Sequence, residues 1–463
     1  MKKNLMFIAC LAVVFLSCQN EIIPTPGIEG THVKVTSLSQ EEATALAFKQ
    51  SGATISEDEA LEKAALFFDG VATKSNGFDL QTYWIPYYNQ TSLTKSVGIG
   101  TPDSIPVYLI NKNDGSSVLL AGDRRVPEVL AFADSPLSMT ETNTGADVFI
   151  SNLPAFVNYK INEFNAKYDS LLAVLKEKGI ELVNPIQTKA TDVAHFSKEE
   201  TMTTPWEEVF SYSPLLNVKW GQGYPYNLAT EKIQCDNEMV HPPLGCVTIA
   251  VGQILSFHKY PTRFDGTNID WVGITKSPNI TDFSPYAEQV QKMLFSIAKG
   301  VHMEFGCDGS ASNIYKAKSY LDEIGYISDA VSTYNDESVI NSISNSRPIF
   351  VRGETVPEKE DEKVGGHAWI IDGANKKDRR VISRIYEYRF PGPPPEVTLS
   401  SDWILIKETE TEQVEEYVHC NYGYEGLYDG YYHHAVFSLT DDMWGSGPFF
   451  KANLLILTNI KRK

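Results

Sequence analysis

Leu244-Gly245-Cys246-Val247-Thr248-Ile249-Ala250-Val251-Gly252-Gln253-Ile254-Leu255-Ser256-Phe257 follows His241-Pro242-Pro243 and stops short of Tyr260-Pro261. Prolines on both sides suit a helix that begins near Cys246 and ends before Pro261. Apolar side chains cover nearly the whole circumference, so the predicted helix lies inside a domain rather than on its surface. At about 14 residues it is too short to span a bilayer. Cys246 then stands at the first turn of a buried helix, where unpaired N–H groups and the positive end of the dipole stabilise a thiolate. This stretch alone leaves two readings open: a reactive thiol, or a small buried hydrophobe, as most isolated cysteines are.

A nucleophilic thiol needs a base, oxyanion donors and a group that holds the base in place. In Val364-Gly365-Gly366-His367-Ala368-Trp369-Ile370-Ile371-Asp372-Gly373 a glycine pair delivers His367 to the mouth of an apolar strand. An imidazole there is sterically fixed and half desolvated, as one facing a thiolate should be, although a lone strand histidine is more often structural. Upstream, Lys219-Trp220-Gly221-Gln222-Gly223-Tyr224-Pro225-Tyr226-Asn227 sets Gln222 in a glycine-rich loop. Its side-chain amide can join the Cys246 N–H in binding an oxyanion. Downstream, His419-Cys420-Asn421-Tyr422-Gly423-Tyr424 offers the Asn421 amide and aromatics to orient or shield the imidazole. His433 and His434 are neighbours on a strand, face opposite ways and cannot share a metal. No cysteine or histidine cluster has zinc-site spacing, so neither metal nor cofactor is expected.

In that order the motifs resemble the streptopain family of papain-fold cysteine peptidases, in the branch found in Bacteroides-type bacteria. The residues concerned are Trp-Gly-Gln…Pro-Tyr-Asn (220–227), Gly-Cys-Val (245–247), Gln-Ile-Leu…His-Lys-Tyr-Pro (253–261), Gly-Gly-His-Ala (365–368) and His-Cys-Asn-Tyr-Gly-Tyr…Asp-Gly-Tyr (419–431). Gly122-Asp123-Arg124-Arg125…Val129-Leu130-Ala131 resembles the family's propeptide. The resemblance implies a zymogen whose prodomain blocks the cleft, with Cys246 as nucleophile, His367 as base and Gln222 in the oxyanion hole. Asn421-Tyr422-Gly423-Tyr424 departs from the family's Asn-Trp-Gly-Trp, which alters the aromatic wall beside the histidine at Tyr422.

The chain has 463 residues, 42% hydrophobic and 21% charged, with room for two or three domains of ordinary globular composition. A formal charge of −19 argues against nucleic acid and anionic membrane surfaces as partners. Met1-Lys2-Lys3 and the apolar run Leu5–Leu16 read as an export signal. Its end, Phe15-Leu16-Ser17-Cys18-Gln19, resembles a lipoprotein box in which Cys18 is lipidated. Of six cysteines two lie in the signal, and four in a chain this long make no disulfide scaffold.

Residues 19–32 read as a tether and 33–190 as an α+β prodomain. Helices are expected from Ser39 and Ser56 and over Leu153–Lys178, and strands over Thr82–Tyr88, Ile105–Ile110, Ser117–Ala121 and Glu128–Ala133. Asn184–Thr204 has linker composition. Helices then strands follow over 205–463, which gives an α+β, papain-like peptidase domain, with Ser383–Lys407 a proline-tipped excursion and Gln413–Glu416 a solvated charged face. The expectation is an exported cysteine endopeptidase, lipid-anchored at the outer membrane, on the periplasmic or the cell-surface side. It acts on protein or peptide and is inhibited by its own prodomain. The alternatives are a papain-fold acyl transferase or amidase, or a non-enzymatic surface lipoprotein that keeps the fold.

Overall fold

Small residues at helical spacing in Glu57–Asp69 turn Ala60, Ala64 and Ala65 fully inward, and this segment is helix α1 of the computed structural model. The structure describes residues 53–69, 77–87, 103–140, 144–177, 197–356, 365–390, 399–439, 443 and 453–463. Cys18, the tether and the helix expected from Ser39 lie outside them. The four early strands form a meander of β1 (Phe78–Tyr87), β2 (Asp103–Lys112), β3 (Ser117–Ala121) and β4 (Val129–Ala133). Helix α2 (Ala146–Glu177) starts seven residues before the expected Leu153 and runs through Pro154.

Later in the chain come β5 (Ser197–Thr203), β6 (Glu207–Tyr212), α3 (Cys246–His258), α4 (Ala287–Gly300), α5 (Ile314–Glu323) and α6 (Asp336–Ser344). They are followed by β7 (Ile349–Glu354), β8 (Gly366–Tyr388), β9 (Trp403–Asn421), β10 (Gly430–His433) and β11 (Leu454–Leu457). A twelve-stranded sheet runs β1-β2-β3-β4-β10-β9-β8-β7-β11 and on to Ser332–Thr333, with β5 and β6 both paired to β8. The fold is α+β, as expected. Helices α3, α4 and α5 pack over Phe350, Ala368 and Ile370 in one core. The other core joins Phe149, Leu153 and Phe156 of α2 to Trp369, Tyr422, Tyr432 and Phe437. Through β4–β10 and this second core, the two halves of the chain share one sheet and one interior.

Three sequence expectations are corrected. The excursion at Ser383–Lys407 is the end of a much longer arm, because β8 and β9 pair from Ile370/Asn421 out to Tyr388/Trp403. The arm is zipped by charge: Lys376 meets Glu416 at 2.6 Å, Arg384 meets Glu408 at 2.6 Å, and Arg380 meets Glu410 at 3.3 Å. Opposite charges across a ladder favour pairing, and at the tip Tyr388 packs on Trp403 at 5.3 Å. The supposed linker ends in β5, whose Ser197–Thr203 pair with Val381–Glu387. And Gln413–Glu416 is no wholly solvated face, since Glu415 is 3% exposed. Its carboxylate accepts the Glu128 N–H at 3.0 Å and the Tyr417 hydroxyl. Glu128 in turn binds Lys63 at 3.0 Å and Arg379 at 2.7 Å.

This cluster ties β4 of the N-terminal half to the arm, and it makes stability depend on pH. Burial pushes the Glu415 carboxyl up to about 7, an effect the Glu128 charge increases and the hydrogen bonds and Arg379 only partly offset. The folded state therefore binds a proton that the unfolded chain releases above the ordinary carboxyl range. The stability it contributes is complete at low pH and is lost as pH rises toward 7. Glu128 has the opposite sign, held low by Lys63 and Arg379 against burial, so its contribution is lost only in acid. Glu415→Gln should raise thermal stability relative to wild type by on the order of 1–3 kcal/mol at pH 8 and by much less at pH 5. Calorimetry at the two pH values checks this, and an equal shift at both would contradict it.

Candidate active site

Helix α3 begins at Cys246 and is buried from Val247 to Ser256. Gly245 caps it with φ +80°, and a Cβ there would run into Met303 and the Ser310 carbonyl, so the turn that presents the thiol requires glycine. The Gln222 loop is fixed to the same turn, since the Leu244 N–H donates to the Gln222 carbonyl at 2.9 Å. The Gln222 side chain bonds the Tyr424 hydroxyl. On the sheet, His367 is the second residue of β8 and 3% exposed. Its Nε2 donates to the Tyr422 carbonyl at 2.8 Å, which leaves Nδ1 for the sulfur.

Cys246 is coupled to the His367 side chain and to the Ala368 N–H. Burial alone would push the thiol up. The His367 charge and hydrogen bond outweigh it, helped by Ala368 and the Arg352 charge, and bring Cys246 down to about 7. His367 is raised: burial opposes its charge, but Cys246, the Tyr422 carbonyl and Asp147 together prevail. The other free thiol among the described residues, Cys420, is buried and pushed far up by desolvation, so the two are chemically distinct.

The expected helpers are distributed differently. Among the described residues, no hydrogen bond joins Asn421 to the imidazole. Its Oδ1 accepts from Gln253 Nε2 of α3 at 2.9 Å and from the Gly423 N–H at 3.2 Å, while its Nδ2 donates to the Val218 carbonyl at 2.9 Å. It bolts the helix to the sheet, and the backbone carbonyl of Tyr422 does the orienting. Tyr422 itself is fully buried and tilted 50° to the His367 ring, so it is not the ring's stacking partner. Tyr424 stacks on it at 5.3 Å and 27°, and Trp369 lies parallel to it at 6.5 Å and 15°. Behind the carbonyl, Asp429 Oδ1 accepts the Tyr422 N–H at 2.9 Å, close to a buried His419–Asp372 pair at 2.6 Å. These groups sit in the quoted Asp-Gly-Tyr and Ile-Ile-Asp-Gly stretches, but nothing in residue type or spacing revealed their role.

Nor was Gly145, which comes from the N-terminal half. With φ +85° it lies flat against the imidazole, and a Cβ there would overlap His367 and Tyr422. Asp147 accepts the Gly145 N–H at 2.9 Å. Cys235 and Cys307, which the sequence reading left unpaired, form a disulfide beside the loop at Ser310. Ser310 Oγ donates to the Pro243 carbonyl at 2.6 Å, just ahead of the nucleophile's turn.

A thiol drawn toward neutrality by an imidazole that is itself raised is the chemistry on which cysteine peptidases rely. Comparison with known proteins agrees. Residues 220–432 match the model of the peptidase C10 family. Streptopain from Streptococcus pyogenes is 23% identical over 313 residues, covering 59% of this chain and 69% of that protein. Among solved structures, a prointerpain A fragment from Prevotella intermedia is 17% identical. It covers 83% of this chain and all of that one, with a TM-score of 0.45. Active interpain A from the same organism is 20% identical over 53% of this chain and 94% of that one, with a TM-score of 0.35.

The thiol chemistry is directly measurable. Alkylation of Cys246 by iodoacetamide should reach half its maximal rate near pH 7, while Cys420 stays unmodified until the protein is unfolded. A Cys246 midpoint near that of an ordinary thiol, about 8.5, would contradict the coupling to His367.

Proposed function

We propose that the protein is an exported cysteine endopeptidase made as a zymogen, anchored to the outer membrane through lipidated Cys18, and acting on protein or peptide substrates. One observation carries the catalytic part: the thiol at the head of α3 and the His367 imidazole are electrostatically coupled, and the far nitrogen of that ring is held by the Tyr422 carbonyl. In the mechanism, the Cys246 thiolate attacks a peptide carbonyl to form the C–S bond. The oxyanion is held by the Cys246 N–H at the helix N-terminus and by the Gln222 amide. The His367 imidazolium gives its proton to the leaving amine as the C–N bond breaks. It then takes a proton from the water that hydrolyses the thioester.

The N-terminal half acts as prodomain in this reading. Support comes from Gly145 lying on the imidazole and from the shared core, which must be opened before an extended peptide can reach His367. Maturation cuts the chain ahead of β5. A strand paired along β8 resists proteases, so Lys198, within β5, is a poor site, and Lys189 ahead of the strand is the candidate that remains. Export rests on the signal-like N-terminus. The Cys235–Cys307 disulfide supports it, because such bonds persist in oxidising compartments.

Cys246→Ala should abolish hydrolysis of casein and leave the fold intact. Gln222→Ala should lower kcat by roughly 10²–10³-fold with little change in KM, the loss typical of one oxyanion donor. The intact chain should be nearly inactive, and cleavage before β5 should release a fragment of about 270 residues that carries the activity. Wild-type turnover by Cys246→Ala would overturn the nucleophile. Full activity of the uncut chain would overturn the prodomain and leave the N-terminal half as a separate binding module.

A further inference from the structure

We propose that Arg352 forms a subsite for a substrate carboxylate beside the scissile bond, so that the enzyme favours peptides with Asp or Glu at one position flanking the cut. The inference rests on the peptidase reading above and adds the charge of the preferred substrate. Arg352 lies on β7, directly opposite Ala368 of β8 and Leu455 of β11. Ala368 is the residue whose N–H is coupled to the Cys246 sulfur. Residues opposite one another across a ladder point to the same face. The Arg352 side chain therefore rises on the face where Ala368 meets the helix that carries the nucleophile.

From there it leans along β8 over Gly366, the residue before His367. A Cβ at 366 would run into the guanidinium, so glycine at this position is what makes room for it. The guanidinium is partly exposed and has no carboxylate partner among the described residues. One N–H group donates to the neighbouring Gly353 carbonyl. Glu354, two residues along the same strand face, is engaged by Asn453 Nδ2 at 3.1 Å instead. A cation so placed, in a chain of net charge −19, still has a fork of donors to offer. That fork fits a carboxylate bidentately. Its charge already acts on the Cys246 sulfur, so a substrate group paired with it lies near the reacting carbonyl.

The test uses the full chain after cleavage ahead of β5 and a positional library of quenched peptides. Each flanking position carries Asp, Glu, Asn, Gln, Lys or Arg, on a scaffold whose neutral member is also measured. Wild type should prefer Asp or Glu over Asn or Gln at one position by roughly tenfold or more in kcat/KM. Arg352→Gln should erase that preference yet still cleave the neutral peptide, and Arg352→Glu should turn it toward Lys or Arg. Protection of Cys420 from iodoacetamide serves as the check that each variant is folded. Superimposable profiles for wild type and Arg352→Gln, with neutral peptide cleaved by both, would overturn the subsite while leaving the peptidase reading standing. No cleavage of any peptide by wild type would overturn that reading and the subsite with it.

Discussion

The bond from His367 Nε2 to the Tyr422 carbonyl is the contact on which the rest of the site depends. It fixes the ring plane and the tautomer, which decides that Nδ1 faces the sulfur. A main-chain carbonyl can do this only if its own strand end is rigid. Asp429 holds the preceding N–H, Asn421 ties the same turn to α3, and Asp372 receives the Leu216 N–H at 3.0 Å while binding His419. A helix apolar all round is pressed against a sheet that ends in these fixed polar groups. The thiol and the imidazole meet because the two elements have one way to pack.

The same sheet joins the N-terminal half to the C-terminal site. Strand β10 lies between β9, which carries Asn421, and β4, which belongs to the early meander. The Glu128–Arg379–Lys63 cluster spans that seam with half-buried charges, and removing one partner would leave another uncompensated. Gly145 is carried to the imidazole by the turn that opens α2, whose Phe149 and Phe156 are buried in the core shared with Trp369. Moving Gly145 off the imidazole would thus require breaking packed contacts and not merely cutting a loop.

Much of this was legible in the sequence, and the rest fails for physical reasons. The limits of α3 could be read because two prolines and an apolar circumference allow little else, and His367 because a glycine pair announces a strand mouth. Asn421 was misjudged because an amide near a histidine in sequence need not face it, and a backbone carbonyl leaves no trace in residue type. The arm was read as fragments because β8 and β9 are held by cross-strand charge, which looks like solvated surface until the partner strand is known. Glu415 shows the same limit: nothing in Gln-Val-Glu-Glu says which glutamate will be buried under a strand some 290 residues away. Gly145 and Arg352 are matters of tertiary placement alone.

The account turns on one claim, that a competent Cys246–His367 pair exists in the intact chain but is closed to peptide-sized groups by the segment at Gly145. Intact-mass measurement after exposure to an irreversible epoxysuccinyl peptidase inhibitor tests it most directly, before and after cleavage ahead of β5. The account predicts no adduct on the uncut chain and one on the cut chain, mapped to Cys246. Equal labelling of both forms, or an adduct on any other residue, would contradict it.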